Sequence, residues 1–544
     1  MALPLSRRTF IASGAILATS AKSPATAAPS PSSAIPSHGQ DAYRLRVAAA
    51  ERLRNGLWPD SEQNGDESLY SDKRASFSKT LPHDDLGEVD PAAFAVFATT
   101  IGHGSAHDFE RLPRARQAVE RLNDPQAMSA FELSGADSAS VPLRPPPRFA
   151  SPEMAAEMAE LYWIALLTDT PFRRMEADAF AETAARDLSA LSAAHVFGDS
   201  GSVTTSMLFR GDAAGDRVGP LVSQFLWLDI PFGNKIIDQR YSFPKAGQAF
   251  LTERDEWLAC QRGAAPGGVL RFDEAARYIG CGRDLAEFVR RDFSFQTYMN
   301  AALIMLELAA QHGGDVLSPT NPYRRSRTQF GDITFGGKDV LSAIAEASLC
   351  AQKASYYQKW LVHRRLRPEA YGGRLETHAS GRKTYDIHPD LMNCEGVARS
   401  VVRFGARLLP IAYPEGSPTH PSYPAAHAYN GGACAAILKA FFNPDFVIPE
   451  PVQATDDGGS LETWAGEPLT LGHEIDKLAS NIAFGRDAAR VHYRSDSANG
   501  LRAGEEVGIA LLCDRSVLYR ERFDGFVLKR RDGNTVTIRD GGVL

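Results

Sequence analysis

Residues 338 to 370 read KDVLSAIAEASLCAQKASYYQKWLVHRRLRPEA, and this stretch predicts a fold more clearly than any other. Its apolar residues recur at helical spacing, and proline is not tolerated inside a helix, so we predict one long helix that stops at Pro368. On that helix Lys359, His363 and Arg367 would follow at four-residue intervals and share one face. Their charges would repel one another unless an anion lay nearby, although a solvated basic face is the more usual meaning of such a run.

Similar stretches predict helices in much of the remaining chain. A Ser-Pro pair opens residues 151–169, and Gly313 ends the stretch that begins at residue 295. The tail alternates about Asp532-Gly533, which is typical of a β-hairpin. We therefore predict an all-α, mostly helical fold of paired helical bundles with a small C-terminal β-hairpin. Further predicted helices cover residues 41–56, 90–104, 425–442, 474–488 and 498–515.

The first residues predict an export signal. Residues 6–28 read SRRTFIASGAILATSAKSPATAA. They contain paired arginines, then an apolar run too short to span a bilayer, and then small residues suited to cleavage near Ala27 or Ala28. This pattern is similar to twin-arginine signals and predicts a bacterial protein that is periplasmic or secreted. We divide the chain into a signal peptide (1–28), a Pro/Ser linker (29–40), an N-terminal helical region (41–300) and a helical region with the candidate site and the hairpin (301–544).

The charge balance narrows the classes of partner. The formal net charge is -7, and removal of the basic leader makes the chain more acidic, which argues against a nucleic-acid partner. After the leader, no segment is long and apolar enough to span a membrane, so we predict no membrane partner.

Two further segments carry candidate residues. In HPSYPAAHAYNGG, residues 420–432, His427 lies where a helix is predicted to begin, and unpaired N–H groups at a helix start attract anions. In GRDAARVHYRSD, residues 485–496, Asp496 follows His492 by four and could hold one ring nitrogen, leaving the other free as a ligand or nucleophile. Arg486 adds a third cation. Taken alone, each of these two segments could equally be an ordinary loop or a solvent-exposed surface with no functional role.

Taken together, the three clusters predict one oxyanion site. Lys359, Arg367 and Arg486 would supply positive charge and planar donor groups for a tetrahedral anion. His492 could bind the central atom of that anion, and His427 could act as acid and base. This division of roles suits phosphate or its chemical mimic vanadate.

The motif Lys-x7-Arg-Pro, the small-residue-His turn and Arg-x5-His-x3-Asp resemble those of the vanadium-dependent haloperoxidases, which share their site with acid phosphatases. The long Lys-to-Arg spacer is closer to the bromoperoxidase branch, and the likeness extends from about residue 41 to the C-terminal hairpin. The resemblance implies a haloperoxidase that oxidises bromide or iodide with hydrogen peroxide to hypohalous acid, which halogenates small organic compounds. It also implies a homo-oligomer and leaves structural calcium open.

The resemblance implies a role for each matching residue. His492 would bind vanadium, and His427, Lys359 and His420 would be the catalytic residues. His427 would relay the proton, Lys359 would polarise the peroxide, and His420 would lie near the entrance. The vanadate-binding residues would be Lys359, Arg367, Ala426, Arg486, His492 and Asp496, with Ala426 acting through its backbone N–H and Asp496 by orienting His492.

One departure concerns the turn before His427. The family often has Ser-Gly-His there, whereas this chain has Ala425 and Ala426, so a serine hydroxyl that would bond a vanadate oxygen is missing. A hydrogen bond to a charged group contributes about 1.5–3 kcal/mol, so weaker binding of vanadate is expected. Tyr356 and His363 are candidates for contact with the halide, and either could instead be a packing residue.

Two alternatives use the same pocket. An exported acid phosphatase would use His492 as nucleophile and His427 as the acid for the leaving group. A non-catalytic binder would hold phosphate or vanadate without turnover.

Overall fold

The computed structural model describes residues 34–56, 58–198 and 200–544. The predicted signal peptide lies outside these residues. The chain divides into two compact units, one ending at Arg54 and one formed by Asn55–Leu544. A helix runs over Ala34–Asn55, so the predicted Pro/Ser linker is wrong from residue 34 onward. Proline does not prevent this start, because the first turn of a helix has N–H groups without intrahelical partners.

Helices dominate the described chain, as predicted, and short 3-10 turns and small sheets connect them. The α-helices are α1 (Ala34–Asn55), α2 (Asp66–Leu69), α3 (Pro91–His103), α4 (Ala106–Glu110), α5 (Pro152–Leu167), α6 (Ala179–Ser189), α7 (Arg254–Gln261), α8 (Gly282–Arg291), α9 (Gln296–His312), α10 (Gly337–Tyr357), α11 (Pro368–Ala379), α12 (Pro389–Asn393), α13 (Glu395–Phe404), α14 (Ala426–Phe441), α15 (Leu471–Ala488) and α16 (Arg494–Ser516). The 3-10 turns are Pro125–Ser129, Phe172–Ala177, Ala194–Phe197, Thr205–Met207, Ala214–Arg217, Gln224–Leu226 and Gly313–Val316.

Helix α14 is the centre of the larger unit. It packs against α10, α15 and α16, and nearly all of its residues are buried. Two glycines allow α14 and α16 to approach closely: a Cβ on Gly504 would lie 2.1 Å from the carbonyl oxygen of Tyr429, and one on Gly432 would lie 2.0 Å from that of Leu501. This close packing fixes the start of α14 relative to the start of α16.

The long helix predicted up to Pro368 is not continuous. Helix α10 ends at Tyr357, a π-helical turn follows over Gln358–His363, and Arg364 takes a left-handed conformation with φ +34°. Pro368 then begins α11 as its first residue, a position that suits proline because no N–H is needed there. The prediction that Lys359, His363 and Arg367 share one helical face is therefore wrong.

The predicted boundary near residue 300 does not separate two units. Residue 300 lies inside α9, and one hydrophobic core joins residues from Tyr70 to Ile538. Apolar side chains from both predicted regions pack against each other, which a division based on composition could not show. Residues 41–300 and 301–544 therefore belong to the same compact unit from Asn55 onward.

The strands are short and antiparallel. The predicted C-terminal hairpin is confirmed: β5 (Phe526–Lys529) pairs with β6 (Thr535–Arg539), which also pairs with β7 (Gly542–Val543). The other strands form two-stranded sheets: β1 (Ile230–Phe232) with β2 (Lys235–Ile237), and β3 (Val452–Ala454) with β4 (Leu461–Thr463). Four cysteines are buried free thiols: Cys260, Cys350, Cys394 and Cys434. In the described ranges, no helix combines the length and the apolar character needed to cross a membrane.

Candidate active site

Lys359 and Arg367 meet in a buried pocket, although not by the helical spacing that predicted them. The π-helical turn places Lys359, whose Nζ donates to the carbonyl oxygens of Pro421 at 2.8 Å and Ser422 at 2.9 Å. Arg367 is the residue before Pro368 and is extended, as residues before proline prefer, so its side chain turns back toward the same loop. It donates to the carbonyl oxygen of His420 at 2.9 Å.

His492 is held from both sides of its ring. Its Nδ1 donates to Oδ2 of Asp496 at 2.8 Å, so the predicted contact across four residues is present. Asp496 lies in the first turn of α16. On the other side, Nη1 of Arg367 lies 3.0 Å from Nε2 of His492. Because a guanidinium can only donate, Nε2 is the unprotonated nitrogen, and its lone pair accepts the hydrogen bond from Arg367.

The carboxylate of Asp496 is part of a buried chain of charges. Its Oδ1 accepts from Arg365 at 2.7 Å, and the same arginine donates to Glu157 at 2.9 Å. Oδ2 also accepts from the hydroxyl of Ser422 at 2.5 Å. The Arg365 guanidinium stacks on the ring of Tyr493 at 3.9 Å. These contacts fix the carboxylate, and the carboxylate fixes the ring of His492.

His427 lies at the second position of α14 and is less enclosed. Its Nε2 donates to Oδ1 of Asp292 at 3.0 Å, and its side chain is 24% exposed, whereas that of Asp292 is 3% exposed. Nδ1 makes no hydrogen bond within the described residues and is available to exchange a proton. Ala426 begins α14, and its N–H belongs to the first helical turn, where no intrahelical acceptor exists.

Arg486 completes the group of cations. It lies on α15, and its Nη1 donates to the carbonyl oxygen of Val289 at 2.8 Å. Its Nε is buried without a partner in the described part of the chain. A buried donor without an acceptor is costly, which indicates that an anion belongs beside it.

The lowered pKa values of three groups show that nearby negative charge does not balance the positive charge of the site. Burial, followed by repulsion from Arg367, holds the pKa of Lys359 well below its ordinary value. Burial and Arg486 lower the pKa of Arg367 to about 9. Burial, Arg367 and Lys359 also lower the pKa of His492 well below its ordinary value. A bound anion would remove the repulsion that these groups exert on one another.

Three other predicted residues, His420, Tyr356 and His363, differ in their relation to the site. His420 belongs to it: its Nδ1 lies 2.9 Å from Nη2 of Arg367, and the ring of Tyr356 packs against its ring at 5.7 Å. Tyr356 donates to Asn123 at 2.8 Å. His363 makes none of these contacts and instead packs edge-on against Tyr423 at 4.8 Å, because the left-handed turn at residue 364 follows it.

Sequence reasoning missed four residues that hold the site: Glu157, Asp292, Arg365 and Ser422. Arg365 and Ser422 lie inside segments that were already singled out, but nothing in their spacing identified them. Asp292 is 135 residues from His427, and Glu157 is 208 residues from Arg365. No local pattern could have paired them. Within the described residues, no group of three or more His, Cys, Asp or Glu could hold a metal ion.

Comparison with known proteins places this geometry in a family. No protein-family model matches the chain. It is 35% identical over 526 residues to a vanadium-dependent bromoperoxidase of Ascophyllum nodosum, covering 92% of this chain and 93% of the relative. It is 33% identical over 597 residues to the vanadium-dependent bromoperoxidase of Corallina pilulifera, covering 92% and 98%, respectively. The homohexameric structure of the second vanadate-dependent bromoperoxidase of Ascophyllum nodosum superposes with a TM-score of 0.87 at 27% identity, covering 92% of this chain and 90% of that one.

The relatives cover 92% of the chain. The lone pair of His492, the buried cations and the partly exposed His427 are thus found in a chain that matches these enzymes over 92% of its length. The chain belongs to the vanadium-dependent bromoperoxidase family.

Proposed function

We propose that this protein is a vanadate-dependent haloperoxidase that oxidises bromide or iodide with hydrogen peroxide and releases hypohalous acid. The observation that carries the proposal is the unprotonated Nε2 of His492, directed into a buried group of three cations. A neutral imidazole nitrogen is a suitable ligand for vanadium, and the cations suit the oxygens of a tetrahedral anion. The family relationship supports the same reading.

The residues present fit vanadate. His492 would bind the metal through Nε2, while Lys359, Arg367 and Arg486 would donate to the oxygens. Bound vanadate supplies a Lewis acid that makes peroxide more electrophilic toward a halide. The fit rests on the unpartnered Nε of Arg486 and on the depressed pKa of Lys359, since both features call for an anion.

His427 would handle the proton. Formation of hypobromous acid from peroxide and bromide consumes one proton per turnover, so the site needs a group that both takes up and delivers protons. Nδ1 of His427 can do this, since Nε2 is held by Asp292 and the side chain is partly open to solvent. Lys359 would polarise the peroxide, and His420 would keep Arg367 oriented through its contact with Nη2.

We also propose a homo-oligomer and an exported location. Phe131 and Leu133 are 84% and 97% exposed, and Lys353 on α10 donates to the carbonyl oxygen of Phe131. Leu349, one turn earlier on α10, is exposed as well, so apolar side chains cluster there as they do at subunit contacts. The homohexameric relative supports an oligomer. The twin-arginine pattern at Arg7 and Arg8 supports a periplasmic or secreted location.

The test uses protein freed of metal and then supplied with orthovanadate. Bromination of a cyclic dione is followed with bromide and hydrogen peroxide, and hydrolysis of p-nitrophenyl phosphate is measured without vanadate. We expect bromination that depends on vanadate and is suppressed by phosphate, which competes for the same cations. Phosphate release without bromination under any halide would identify a phosphatase instead. Anion binding with neither activity would identify a non-catalytic binder.

A further inference from the structure

A second pocket is lined in part by Asp292, the hydrogen-bond partner of His427. Its volume is about 170 Å³, and Asp292 lines it together with residues of α8, the start of α9 and the segment 241–243. The same Asp292 accepts the hydrogen bond from His427. The pocket is therefore one side chain away from the group that would handle the proton in catalysis.

Aromatic rings form much of the pocket. Tyr241 meets Phe288 edge-on at 5.1 Å, and the rings of Tyr241 and Phe243 lie 6.0 Å apart. A cavity of about 150 Å³ with apolar walls holds one benzene molecule, so this volume corresponds to a single six-membered ring with a small substituent. Edges and faces of aromatic rings favour another aromatic ring as the occupant.

The pocket also offers a hydrogen-bond acceptor. Oδ1 of Asp292 is occupied by His427, and Oδ2 makes no hydrogen bond within the described residues. The other carboxylate in the wall, Glu287, is held by Arg290 and Arg291, both at 3.1 Å. Among the carboxylate oxygens of the wall, Oδ2 of Asp292 is therefore the one without a hydrogen bond within the described residues, and it suits a ligand with one hydroxyl donor.

We propose that this pocket binds a single-ring phenol as the organic substrate for halogenation. This inference rests on the proposed function for the chemistry, but the binding itself does not require vanadate. The hydroxyl of the phenol would donate to Oδ2 of Asp292, and its ring would lie among Tyr241, Phe243 and Phe288. Hydrogen bonding to a carboxylate increases electron density on the ring, which favours electrophilic attack.

The bond changes balance without a further reactant. A ring carbon attacks the bromine of hypobromous acid, the C–Br bond forms, and the O–Br bond breaks. The ring C–H proton and the departing hydroxide combine as water. One phenol and one hypobromous acid therefore give one bromophenol and one water.

The first test measures binding to the vanadate-free protein by ligand-observed NMR. We expect saturable binding of phenol with a dissociation constant on the order of 1 mM, since seven non-hydrogen atoms supply only modest binding free energy. Anisole has no hydroxyl donor and is expected to bind about tenfold more weakly. Cyclohexanol has no aromatic ring and is also expected to bind more weakly. Absence of saturable phenol binding, or equal binding of all three, would overturn the proposal.

The second test uses Ser242→Leu, which fills the pocket from its exposed edge. Ser202→Leu makes the same change at an exposed serine outside the pocket. The readout is the ratio of kcat/KM for phenol bromination to that for dione bromination in the vanadate-loaded enzyme. We expect Ser242→Leu to lower this ratio about tenfold and Ser202→Leu to leave it unchanged.

The outcomes separate the two proposals. An equal ratio in both variants would show that phenol reacts with free hypobromous acid and would overturn the pocket assignment. If no protein brominated the dione, the proposed function would fail. The binding of phenol to the vanadate-free protein would then still decide whether the pocket takes this ligand.

Discussion

The two histidines of the site are held in opposite ways. His492 is 2% exposed, and its partner Asp496 is fixed by Arg365 and Ser422. His427 is 24% exposed and has one side-chain partner, Asp292. The difference separates two tasks: a metal ligand gains from one fixed orientation, whereas a proton carrier needs contact with solvent. Substitutions on the two sides should therefore affect different quantities.

The largest effect is expected from His492→Ala. Loss of a partner that only orients a metal ligand typically lowers metal affinity about 10- to 100-fold, so loss of the ligand itself should lower vanadate affinity by at least about 100-fold. Titration calorimetry with vanadate measures this directly. Phosphate affinity should change less, because phosphate needs the cations and not the lone pair. The control is His103→Ala, which changes an exposed histidine. If His492→Ala left the vanadate affinity unchanged, His492 would not be the vanadium ligand.

His427→Gln should separate turnover from binding. Acid–base catalysis contributes about 10²- to 10⁴-fold, so we expect kcat for bromination to fall by that factor. Vanadate affinity should stay within about threefold, because His427 would not bind the metal. Asp292→Asn keeps the size of the side chain and should give a smaller loss in kcat. If vanadate binding fell as far as in His492→Ala, the division between the two histidines would not hold.

Arg365→Met tests whether the His492 side depends on its buried charges. Removal of the arginine leaves Glu157 and Asp496 buried without their cation, which should cost about 3–5 kcal/mol of unfolding free energy. Urea denaturation is the measurement. The adjacent Arg364→Met breaks a more solvent-accessible pair with Glu67 and should cost about 1 kcal/mol. Equal losses in both variants would show that the buried chain has no special role.

The smallest effect is expected from Ala425→Ser, which introduces a hydroxyl at the turn before His427. A hydrogen bond to a charged group contributes about 1.5–3 kcal/mol, so vanadate should bind roughly 10- to 100-fold more tightly. Ala425→Gly, which adds no hydroxyl, is the matched control. If serine gave no gain over glycine, vanadate would not lie within reach of residue 425.

The sequence was informative where contacts are local. His492 and Asp496 are four residues apart, and the start of α14 followed from small residues before an apolar run; the structure has both features. Lys359 and Arg367 also meet, but through a π-helical turn and a second helix start instead of one helix face. Periodicity cannot reveal such a break, because the residues before it still fit a helical pattern.

Long-range partners could not be predicted in the same way. Asp292, which follows α8, is recognised only by its hydrogen bond to His427 of α14, and Glu157 of α5 only by its bonds to Arg365 and to Ser495 of α16. A single sequence gives no signal for such contacts, since many buried carboxylates have similar neighbours along the chain. The division near residue 300 failed for the same reason: the core is built from contacts between distant segments.

The buried free thiols have a consequence for the lifetime of the enzyme. Hypohalous acid attacks thiolates readily, and an enzyme that releases it is the first protein exposed to it. Burial raises the pKa of Cys260, Cys394 and Cys434, which suppresses the reactive thiolate in addition to limiting access. By placing these three sulfur atoms in its interior, the protein keeps them away from its own product.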